Sequence, residues 1–350
     1  MEDQGGSEKR SMENKDSSQS PAPGTDKDIR RSAKIIFAVI LLIGASVALY
    51  QVINEIFPSH RASRFQIRNR ISFEDKNPAD AVSAGTLDNR QEIRIAVAPI
   101  VSPEKSMEMY DPFVDYVAGK LGRKPAAIYR PTYSETNDLV RYQQCDIAIV
   151  CTYPFIRGEK EFGMQALVVP QVNGEGTYQS IIVVPKTSSA KTIFDLRGKR
   201  FASADIMSTT GWLFPAILLM DAGEVPDKFF GQHILTRSHD RSMQAVIDEF
   251  VDGAAVHGLV YNQMVEEDPS ILQKVKILTK SGPFGIPPIA VHPNLDPKLK
   301  QALRSVFLHM HEDARGKTIL KKLQIERFVI PDAHHFDSLR SAVGKLERWR

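Results

Sequence analysis

Short apolar stretches alternate with amphipathic ones from position 93 onward, and this alternation constrains the fold more than any other feature of the chain. Apolar or period-two runs predict strands at 93–98, 127–129, 146–150, 165–170, 179–185, 200–204, 233–235, 254–259 and 289–291. Apolar residues at helical spacing predict helices at 106–121, 132–142, 211–222, 242–250, 297–311, 315–323 and 337–346. Strands that alternate with helices favour an α/β fold with mainly parallel sheets, and no internal repeat is visible within it.

The order of these elements predicts two α/β lobes joined by a hinge, which the chain crosses near position 183 and again near 283. The first lobe would comprise about 91–183 and 284–350, and the second about 184–283. Ligands of such folds bind in the cleft between the lobes, outside the carboxyl ends of the strands. We therefore expect a binding cleft between the two lobes.

The N-terminal part of the chain differs in composition from the rest. Residues 1–34 are polar and charged with almost no apolar anchor, which predicts a disordered segment. Residues 35–50 carry no charge and the apolar pattern extends to 57, close to the length that a membrane-spanning helix needs. The range 35–57 is therefore predicted to be a transmembrane anchor, and the polar range 58–90 a stalk.

A cleaved signal peptide is the alternative interpretation of the apolar segment, with Ser46-Val47-Ala48 as its small-x-small cleavage site. Its n-region would be unusually long, so an uncleaved anchor fits the long polar head better. Basic residues flank both sides of the segment in similar number and do not set its orientation.

Net charge and cysteine content exclude some classes of protein. The formal net charge of +3 is too small to indicate a nucleic-acid partner, and no basic stripe laced with aromatic residues is present. Cys145 and Cys151 flank the predicted strand 146–150, so an extended chain of roughly 20 Å separates them. A disulfide needs Cα atoms within about 7 Å. We expect two buried free thiols, which do not fix the compartment.

A run of hydroxyl residues, Ser208-Thr209-Thr210, stands between the strand at 200–204 and the helix at 211–222. Short hydroxyl side chains at this position accept hydrogen bonds from the free amides of the first helical turn. The same amides and the positive end of the helix dipole also form a seat for an anion. From this segment alone, helix capping and anion binding both remain open.

Eight short blocks stand in a fixed order between about 92 and 339: Tyr110-Asp111-Pro112, Pro131-Thr132-Tyr133, 145–152, 194–201, Ser208-Thr209-Thr210-Gly211, 236–240, 252–256 and 285–288. In order and spacing they resemble the phosphate/phosphite/phosphonate-binding proteins of ABC importers, the PhnD-like family of type II periplasmic binding proteins. The resemblance implies a two-lobed type II periplasmic-binding-protein fold with a hinge, here preceded by one transmembrane helix. It also implies a soluble domain in the periplasm, so that the chain would be a single-pass inner-membrane protein with residues 1–34 in the cytoplasm.

The resemblance further implies a ligand site. In the family, a Ser-Thr-Ser/Thr-Gly turn at a helix N-terminus holds the oxygens of the phosphonate or phosphate. Phenol and imidazole donors beside helix amides suit such an oxyanion. The matching residues are Ser208, Thr209 and Thr210 for the turn, Tyr133 and Tyr178 for two pocket tyrosines, and His239 for a pocket histidine.

Two positions depart from the family pattern. Arg237 stands where the family commonly has Gly, and its side chain either places a cation near the mouth of the site or faces solvent. His257 stands where the family often has Asp, and members that bind aminoalkyl phosphonates use carboxylates in this region to meet the ammonium group. We count His257 among the candidate ligand residues, and its identity argues against an aminophosphonate. Position 257 is alternatively a hinge residue.

The sequence thus predicts a membrane-anchored solute-binding protein that captures phosphate, phosphite or phosphonate for an ABC permease. The alternative is a membrane-tethered sensing or scaffold domain that acts with a separate signalling partner. Binding proteins of transporters usually diffuse freely or carry a lipid, whereas this chain is predicted to have a protein anchor and a cytoplasmic head. An enzyme is not indicated, since the chain has no Gly-x-Ser-x-Gly, His-Glu-x-x-His or Walker motif. We expect no metal, no cofactor and no nucleic acid.

Overall fold

The computed structural model describes residues 91–349. The predicted cytoplasmic head (1–34), transmembrane anchor (35–57) and stalk (58–90) lie outside this range. Within it, no helix is both long and apolar enough to cross a membrane. The described range corresponds to the predicted solute-binding domain, 91–350.

The strands of the described range form two main sheets and one small one. A six-stranded sheet has the order β13-β4-β12-β3-β1-β2, a five-stranded sheet has the order β10-β6-β9-β7-β8, and β5 pairs with β11. The strand bounds are β1 Glu92–Val97, β2 Lys124–Tyr129, β3 Ile147–Ile149, β4 Gln165–Gln171, β5 Thr177–Tyr178, β6 Ser180–Pro185, β7 Arg200–Ser203, β8 Gln232–Leu235, β9 Gly253–His257, β10 Val275–Lys280, β11 Phe284–Gly285, β12 Ile289–Val291 and β13 Arg327–Val329.

Helices cover both main sheets, and each sheet with its helices is one lobe. In the first lobe, Phe113 of the first helix stacks on Phe307 with ring centroids 5.8 Å apart, within a core that includes Ile95. In the second lobe, Val183 and Met243 belong to a separate core. The helix bounds are α1 Pro103–Lys120, α2 Tyr133–Arg141, α3 Thr152–Phe162, α4 Phe214–Asp221, α5 Pro226–Phe229, α6 His239–Ile247, α7 Gly258–Glu267, α8 Ile271–Lys274, α9 Pro297–Leu308, α10 Ala314–Lys322 and α11 Asp337–Trp349.

The strands and helices predicted from the sequence are present, with ends shifted by a few residues, and both cysteines are free and buried. Eight elements were not predicted: α3, α5, α7, α8, β5, β10, β11 and β13. Helix α7 follows β9 without a loop, so the apolar run 254–259 was wrongly assigned to one strand throughout. Helix α3 has Pro154 in its first turn and Gly158 in its centre, which obscure its period. Strand β10 shows partial alternation of apolar and polar residues, which was an available signal.

Both main sheets are mixed, which corrects the expectation of mainly parallel sheets. β1 pairs in parallel with β2 and β3, and β7 with β8 and β9. By contrast, β12 runs antiparallel to β3 and β4, and β6 runs antiparallel to β9 and β10. The parallel strands end where the lobes meet, whereas a strand that arrives from the other lobe begins there. Such a strand must therefore run antiparallel to its neighbours.

The chain passes between the lobes on either side of the small sheet formed by β5 and β11. It enters the second lobe between Tyr178 and Ser180 and returns between Lys280 and Phe284. The first crossing comes before position 183, because all of β6 is buried and pairs within the second sheet.

Each lobe contains the same Arg–Asp clasp, a structural repeat that is not visible as a sequence repeat. In the first lobe, Asp146 accepts from the backbone N of Arg94 over 2.7 Å and from its Nη2 over 2.8 Å. In the second lobe, Asp252 accepts from the backbone N of Arg200 over 2.9 Å and from its Nη2 over 3.1 Å. Both pairs are separated by 52 residues along the chain. Each clasp therefore joins a central strand to the turn that precedes its parallel neighbour.

The two clasps differ in burial and should differ in their contribution to stability. The Asp146 side chain is 1% exposed and that of Asp252 is 35% exposed. We expect Asp146→Ala to lower the free energy of unfolding by about 3 kcal/mol, because the substitution leaves Arg94 without its partner in a largely buried site. Asp252→Ala is the matched control and should cost much less, since solvent screens an exposed pair. Urea denaturation of both variants checks this, and equal losses would contradict it.

Candidate functional site

The residues that the resemblance implies as ligand contacts lie at the ends of elements where the two lobes meet. Tyr133 is the first residue of α2 and Tyr178 ends β5. From the second lobe, the hydroxyl turn follows β7, His239 begins α6 and His257 ends β9. All seven residues are buried, and none is more than 6% exposed. The structure thus brings the predicted residues to one interface, and their ligand role stays a prediction.

The hydroxyl turn opens a π-helical segment, Thr209–Leu213, that continues into α4. Ser208 Oγ accepts from the backbone N of Gly211 over 2.9 Å, so Ser208 caps this helix, which is one of the two roles that the sequence left open. A Cβ at position 211 would lie 3.0 Å from Ser208 Oγ and 3.3 Å from the backbone N of Ala204, which explains the glycine. Widened turns of this kind are rare and occur frequently at functional sites.

Thr209 links the turn to the first lobe. Its Oγ1 accepts from the backbone N of Tyr153 over 2.8 Å and lies 3.4 Å from the Sγ of Cys151. Cys151 is the N-cap residue of α3, and its own side chain makes no capping hydrogen bond. Because the first amides of a helix have no partner within it, Thr209 supplies from the second lobe the acceptor that α3 lacks.

Thr210 has a buried hydroxyl that makes no hydrogen bond to any described residue. Its backbone O accepts from Ser180 Oγ over 2.6 Å, which fixes the residue beside the start of β6. A buried hydroxyl without a partner costs about 1–3 kcal/mol. The donor and the acceptor of this hydroxyl are therefore available to a ligand.

The seven candidate residues are called the cluster below. At its centre, His239 is held in one tautomer. The backbone N–H of His257 donates to His239 Nδ1 over 3.2 Å, so the proton of the neutral ring is on Nε2. Nε2 lies 3.2 Å from Ser208 Oγ and 3.5 Å from the hydroxyl of Tyr133. Burial lowers the pKa of His239 to about 3, which keeps the ring neutral at physiological pH.

His257 is also a neutral donor, and its backbone belongs to the second sheet rather than to the connection between the lobes. Its Nδ1 accepts from the backbone N of Leu259 over 3.2 Å, which places the ring proton on Nε2. Burial, together with the nearby His239, lowers the pKa of His257 well below its ordinary value. The ring packs against that of Tyr178, with centroids 4.6 Å apart.

The two candidate tyrosines keep their protons, so that each hydroxyl is able to donate a hydrogen bond. Burial raises the pKa of Tyr133 and of Tyr178 well above the ordinary value. The Tyr178 hydroxyl lies 3.3 Å from the Oγ1 of Thr152, which donates to the backbone O of Gly285 over 3.1 Å. These contacts connect the cluster to the first turn of α3 and to β11.

Two acidic residues to which the sequence analysis gave no role also bridge the lobes. Asp205 Oδ2 accepts from the backbone N of Tyr133, the first amide of α2, over 3.3 Å. Asp240 Oδ1 accepts from the backbone N of Ser102, the N-cap of α1, over 2.9 Å. In the opposite direction, the backbone N of His239 donates to the backbone O of Ile100 over 3.0 Å. The signal that could have found both aspartates is their position beside the hydroxyl turn and beside His239.

Arg237 faces solvent rather than the cluster. The family that the sequence resembles commonly has glycine at this position. The Arg237 side chain is exposed and its backbone φ is 69°, in the left-handed region that favours glycine. Its backbone N donates to the backbone O of Ala204 over 3.0 Å, which accounts for the conformation. The residue therefore joins the turn before α6 to the end of β7.

The chain matches the family model described as "ABC transporter, phosphonate, periplasmic substrate-binding protein" over residues 95–336. It is 24% identical over 232 residues to the phosphonates-binding periplasmic protein of Escherichia coli (strain K12), a match that covers 64% of this chain and 68% of the relative.

Solved structures of similar fold include a binding protein component of an ABC phosphonate transporter from Pseudomonas aeruginosa. Its TM-score is 0.69 at 21% identity, with 74% of this chain and 88% of that chain covered. PhnD1 of Prochlorococcus marinus, in complex with methylphosphonate, has a TM-score of 0.66 at 18% identity, with 73% and 98% covered. The family match extends over most of the described residues and includes the hydroxyl turn and the two candidate histidines, His239 and His257. The chain therefore belongs to the family of periplasmic substrate-binding proteins of phosphonate ABC transporters.

Proposed function

We propose that this protein captures a small phosphorus oxyanion, namely phosphate, phosphite or a phosphonate, between its two lobes and presents it to an ABC permease. The observation that carries the proposal is the convergence of neutral, buried hydrogen-bond donors from both lobes on the hydroxyl turn. We further propose that residues 35–57 anchor the domain to the inner membrane, with 1–34 in the cytoplasm.

The donors suit an anion with several oxygen atoms that accept hydrogen bonds. His239 offers Nε2–H, and Tyr133 and Tyr178 offer phenolic hydroxyls held in the protonated form by burial. The π-helical turn adds hydroxyls and the positive end of α4. Hydrogen bonds from neutral donors to an ionised oxygen are about twice as strong as those between neutral groups.

The cluster members are paired with one another in this structure, and an oxyanion would replace several of these pairings. Ser208 Oγ faces His239 Nε2, and Thr209 Oγ1 faces the backbone N of Tyr153. The donor in each of these two pairs could bond to a ligand oxygen instead. Thr210 needs no exchange, because its hydroxyl has no partner among the described residues.

Binding and hinge closure are coupled in this proposal. Tyr133 and the α3 amides belong to the first lobe, whereas the hydroxyl turn and His239 belong to the second. An oxyanion that accepts from both sets favours the closed arrangement over an open one. The short connections beside β5 and β11 are the places where the chain would bend.

The alternative is a membrane-tethered sensing or scaffold domain, which the predicted anchor and head favour. In this alternative the ligand site is the same, but a signalling protein instead of a permease recognises the closed lobes. Crosslinking from residues 1–34 in native membranes would separate the two, since transport requires a permease among the products and sensing requires a signalling protein.

Removal of the unpartnered hydroxyl tests the site directly. We expect Thr210→Val to weaken binding of phosphate or methylphosphonate by about 1.5–3 kcal/mol, the value of a hydrogen bond to a charged group. The ligand-free protein should lose no stability, because the hydroxyl makes no bond there. Isothermal titration calorimetry and thermal unfolding measure the two quantities.

The matched control for this test is Thr318→Val, which removes an exposed hydroxyl bonded to the backbone O of Ala314 in α10. It should leave affinity unchanged. Unchanged affinity in Thr210→Val, for every phosphorus oxyanion that binds the unaltered protein, would show that the hydroxyl turn is not the site.

The buried histidines predict a loss of stability in mild acid. The pKa of His239 is about 3 in the folded protein against about 6.5 unfolded, so below pH 6.5 only the unfolded chain takes up its proton. The free energy of unfolding should therefore fall with decreasing pH, by up to about 1.4 kcal/mol per pH unit for this residue. His239→Gln should flatten the dependence between pH 6.5 and 4.

The control for the pH dependence has the opposite sign. Asp337 raises the pKa of the exposed His334, so that His334 stabilises the fold only while it is protonated. His334→Gln should therefore make the acid loss slightly steeper. Urea denaturation at a series of pH values gives these slopes, and an unchanged slope in His239→Gln would contradict the burial argument.

A further inference from the structure

Asp205 is a buried carboxylate at the edge of the cluster, and its hydrogen-bond partners are neutral. It lies just beyond the end of β7 and is 5% exposed. Its Oδ1 accepts from the backbone N of Met207 over 2.8 Å, and its Oδ2 from that of Tyr133 over 3.3 Å. No described residue forms an ion pair with this carboxylate. Its negative charge is therefore not compensated by a cation.

The carboxylate stands between two parts of the candidate site. On one side, the backbone O of Asp205 accepts from the N of Ser208 over 3.0 Å, which fixes the start of the hydroxyl turn. On the other side is Tyr133, whose hydroxyl lies 3.5 Å from the Nε2 of His239. Burial raises the pKa of Tyr133, and the charge of Asp205 adds to this rise. A second negative charge at the cluster would therefore be repelled by Asp205.

The cations near the hydroxyl turn do not offset this charge. Arg157 approaches the turn, with its Nη1 3.9 Å from the Sδ of Met207, but its Nη2 is paired with Glu161 over 2.6 Å. The Arg237 side chain is exposed. Asp240 adds a second buried carboxylate at the interface. Farther out, charged groups of α1, α2 and α6 bond to neighbours at the surface: Lys105 to Glu267, Arg241 to Glu104 and Glu135 to Thr132.

The cluster and its neighbours do not change charge in the neutral pH range. Burial lowers the pKa of His239 to about 3 and that of His233, beside the end of β7, to about 4. Burial also lowers the pKa of His257 well below its ordinary value. It raises the pKa of the thiol and the phenols of the site: Cys151, Tyr133 and Tyr178. Any dependence of binding on pH near neutrality must therefore come from the ligand.

A doubly charged ligand is at a disadvantage in such a site. The cost of removing an ion from water rises with the square of its charge, and the neutral donors supply hydrogen bonds but no positive charge. A nearby like charge disfavours ionisation further. A singly charged oxyanion keeps one proton, which needs an acceptor. The hydroxyl of Thr210, which has no partner among the described residues, can accept as well as donate.

We propose that the site selects the singly charged, protonated form of its phosphorus oxyanion, and that the buried carboxylate of Asp205 sets this selection. The inference rests on the proposed oxyanion site at the hydroxyl turn. It adds the charge state of the cargo to the proposed function. Sulfate, which has a similar shape but carries two charges near neutral pH, is excluded on the same ground.

Calorimetric titration of the full chain with methylphosphonate, from mildly acidic to mildly alkaline pH, tests the selection. Affinity should be constant while the ligand is singly charged. It should then fall by about tenfold per pH unit as the ligand loses its second proton. The methyl half-ester of methylphosphonate carries one charge throughout and should show no such fall. Sulfate should show no binding at concentrations at which methylphosphonate saturates the protein.

Asp205→Asn tests the residue, because it keeps the size of the side chain and removes its charge. The loss of an acceptor for a backbone amide weakens both charge forms alike, so the ratio of their affinities is the quantity to compare. The preference for the singly charged form should fall by at least about tenfold, the effect of a charge that shifts a pKa by one unit. Asp205→Ser is a second neutral replacement, since short hydroxyl side chains also accept from turn amides. It should reduce the preference equally.

The matched control is Asp195→Asn. The Asp195 carboxylate also accepts from two backbone amides, those of Lys191 and Thr192, each over 2.9 Å. It is exposed and precedes β7, whereas Asp205 follows that strand. Solvent screens a charge at this distance. The pH profile of binding should therefore match that of the unaltered protein.

The outcomes separate this inference from the proposed function. If affinity stays constant or rises as methylphosphonate loses its second proton, or if sulfate binds equally well, the charge selection is overturned and the oxyanion site stands. An undiminished preference in whichever neutral variant at position 205 folds would overturn the role of Asp205. If methylphosphonate, phosphate and phosphite fail to bind at every pH, the proposed function fails and the inference fails with it.

Discussion

The interface depends on the first backbone amides of three helices in the first lobe, since these amides have no acceptor within their own helices. The second lobe meets each of them with a side-chain oxygen: Asp240 at α1, Asp205 at α2 and Thr209 at α3. Helix ends buried without acceptors are costly, so these three contacts fix how the lobes close on each other. Because Thr209 belongs to the hydroxyl turn, a ligand at that turn and the closed interface draw on the same amides. Capping by Thr209 and the proposed anion binding would therefore use the same kind of helix amide.

The sequence predicted the elements of the fold better than their arrangement. Hydrophobic period identified β1, β7 and α1, and the run of short hydroxyl residues identified the turn before α4, because these signals depend only on neighbouring residues. The antiparallel insertions of β6 and β12 were missed, since they follow from the direction in which the chain re-enters a lobe. The resemblance named the seven candidate residues, and the structure brings them together. The hydrogen bonds between the lobes were beyond sequence reasoning, because their partners lie far apart along the chain. Ser102 and Asp240, for example, are 138 residues apart.

The chemistry of the cluster differs from that of a site that recognises charge with opposite charge. Its histidines are neutral and its phenols protonated, in each case because burial disfavours the ionised form. A ligand site of this kind would discriminate by the number and direction of its hydrogen bonds. The His257 ring packs against that of Tyr178, and His257 also lines a pocket between the lobes.

The strand order of the first sheet has a consequence for the order of folding during synthesis. Strand β12 lies between β3 and β4, yet it is made only after the whole second lobe. As the chain leaves the ribosome, the first lobe therefore lacks an interior strand, while the second lobe, contiguous from β6 to β10, is already complete. Domains generally fold in the order in which they are made. Here the segment that emerges first is the last to acquire its full sheet, and the helix N-termini of α1, α2 and α3 meet a finished partner.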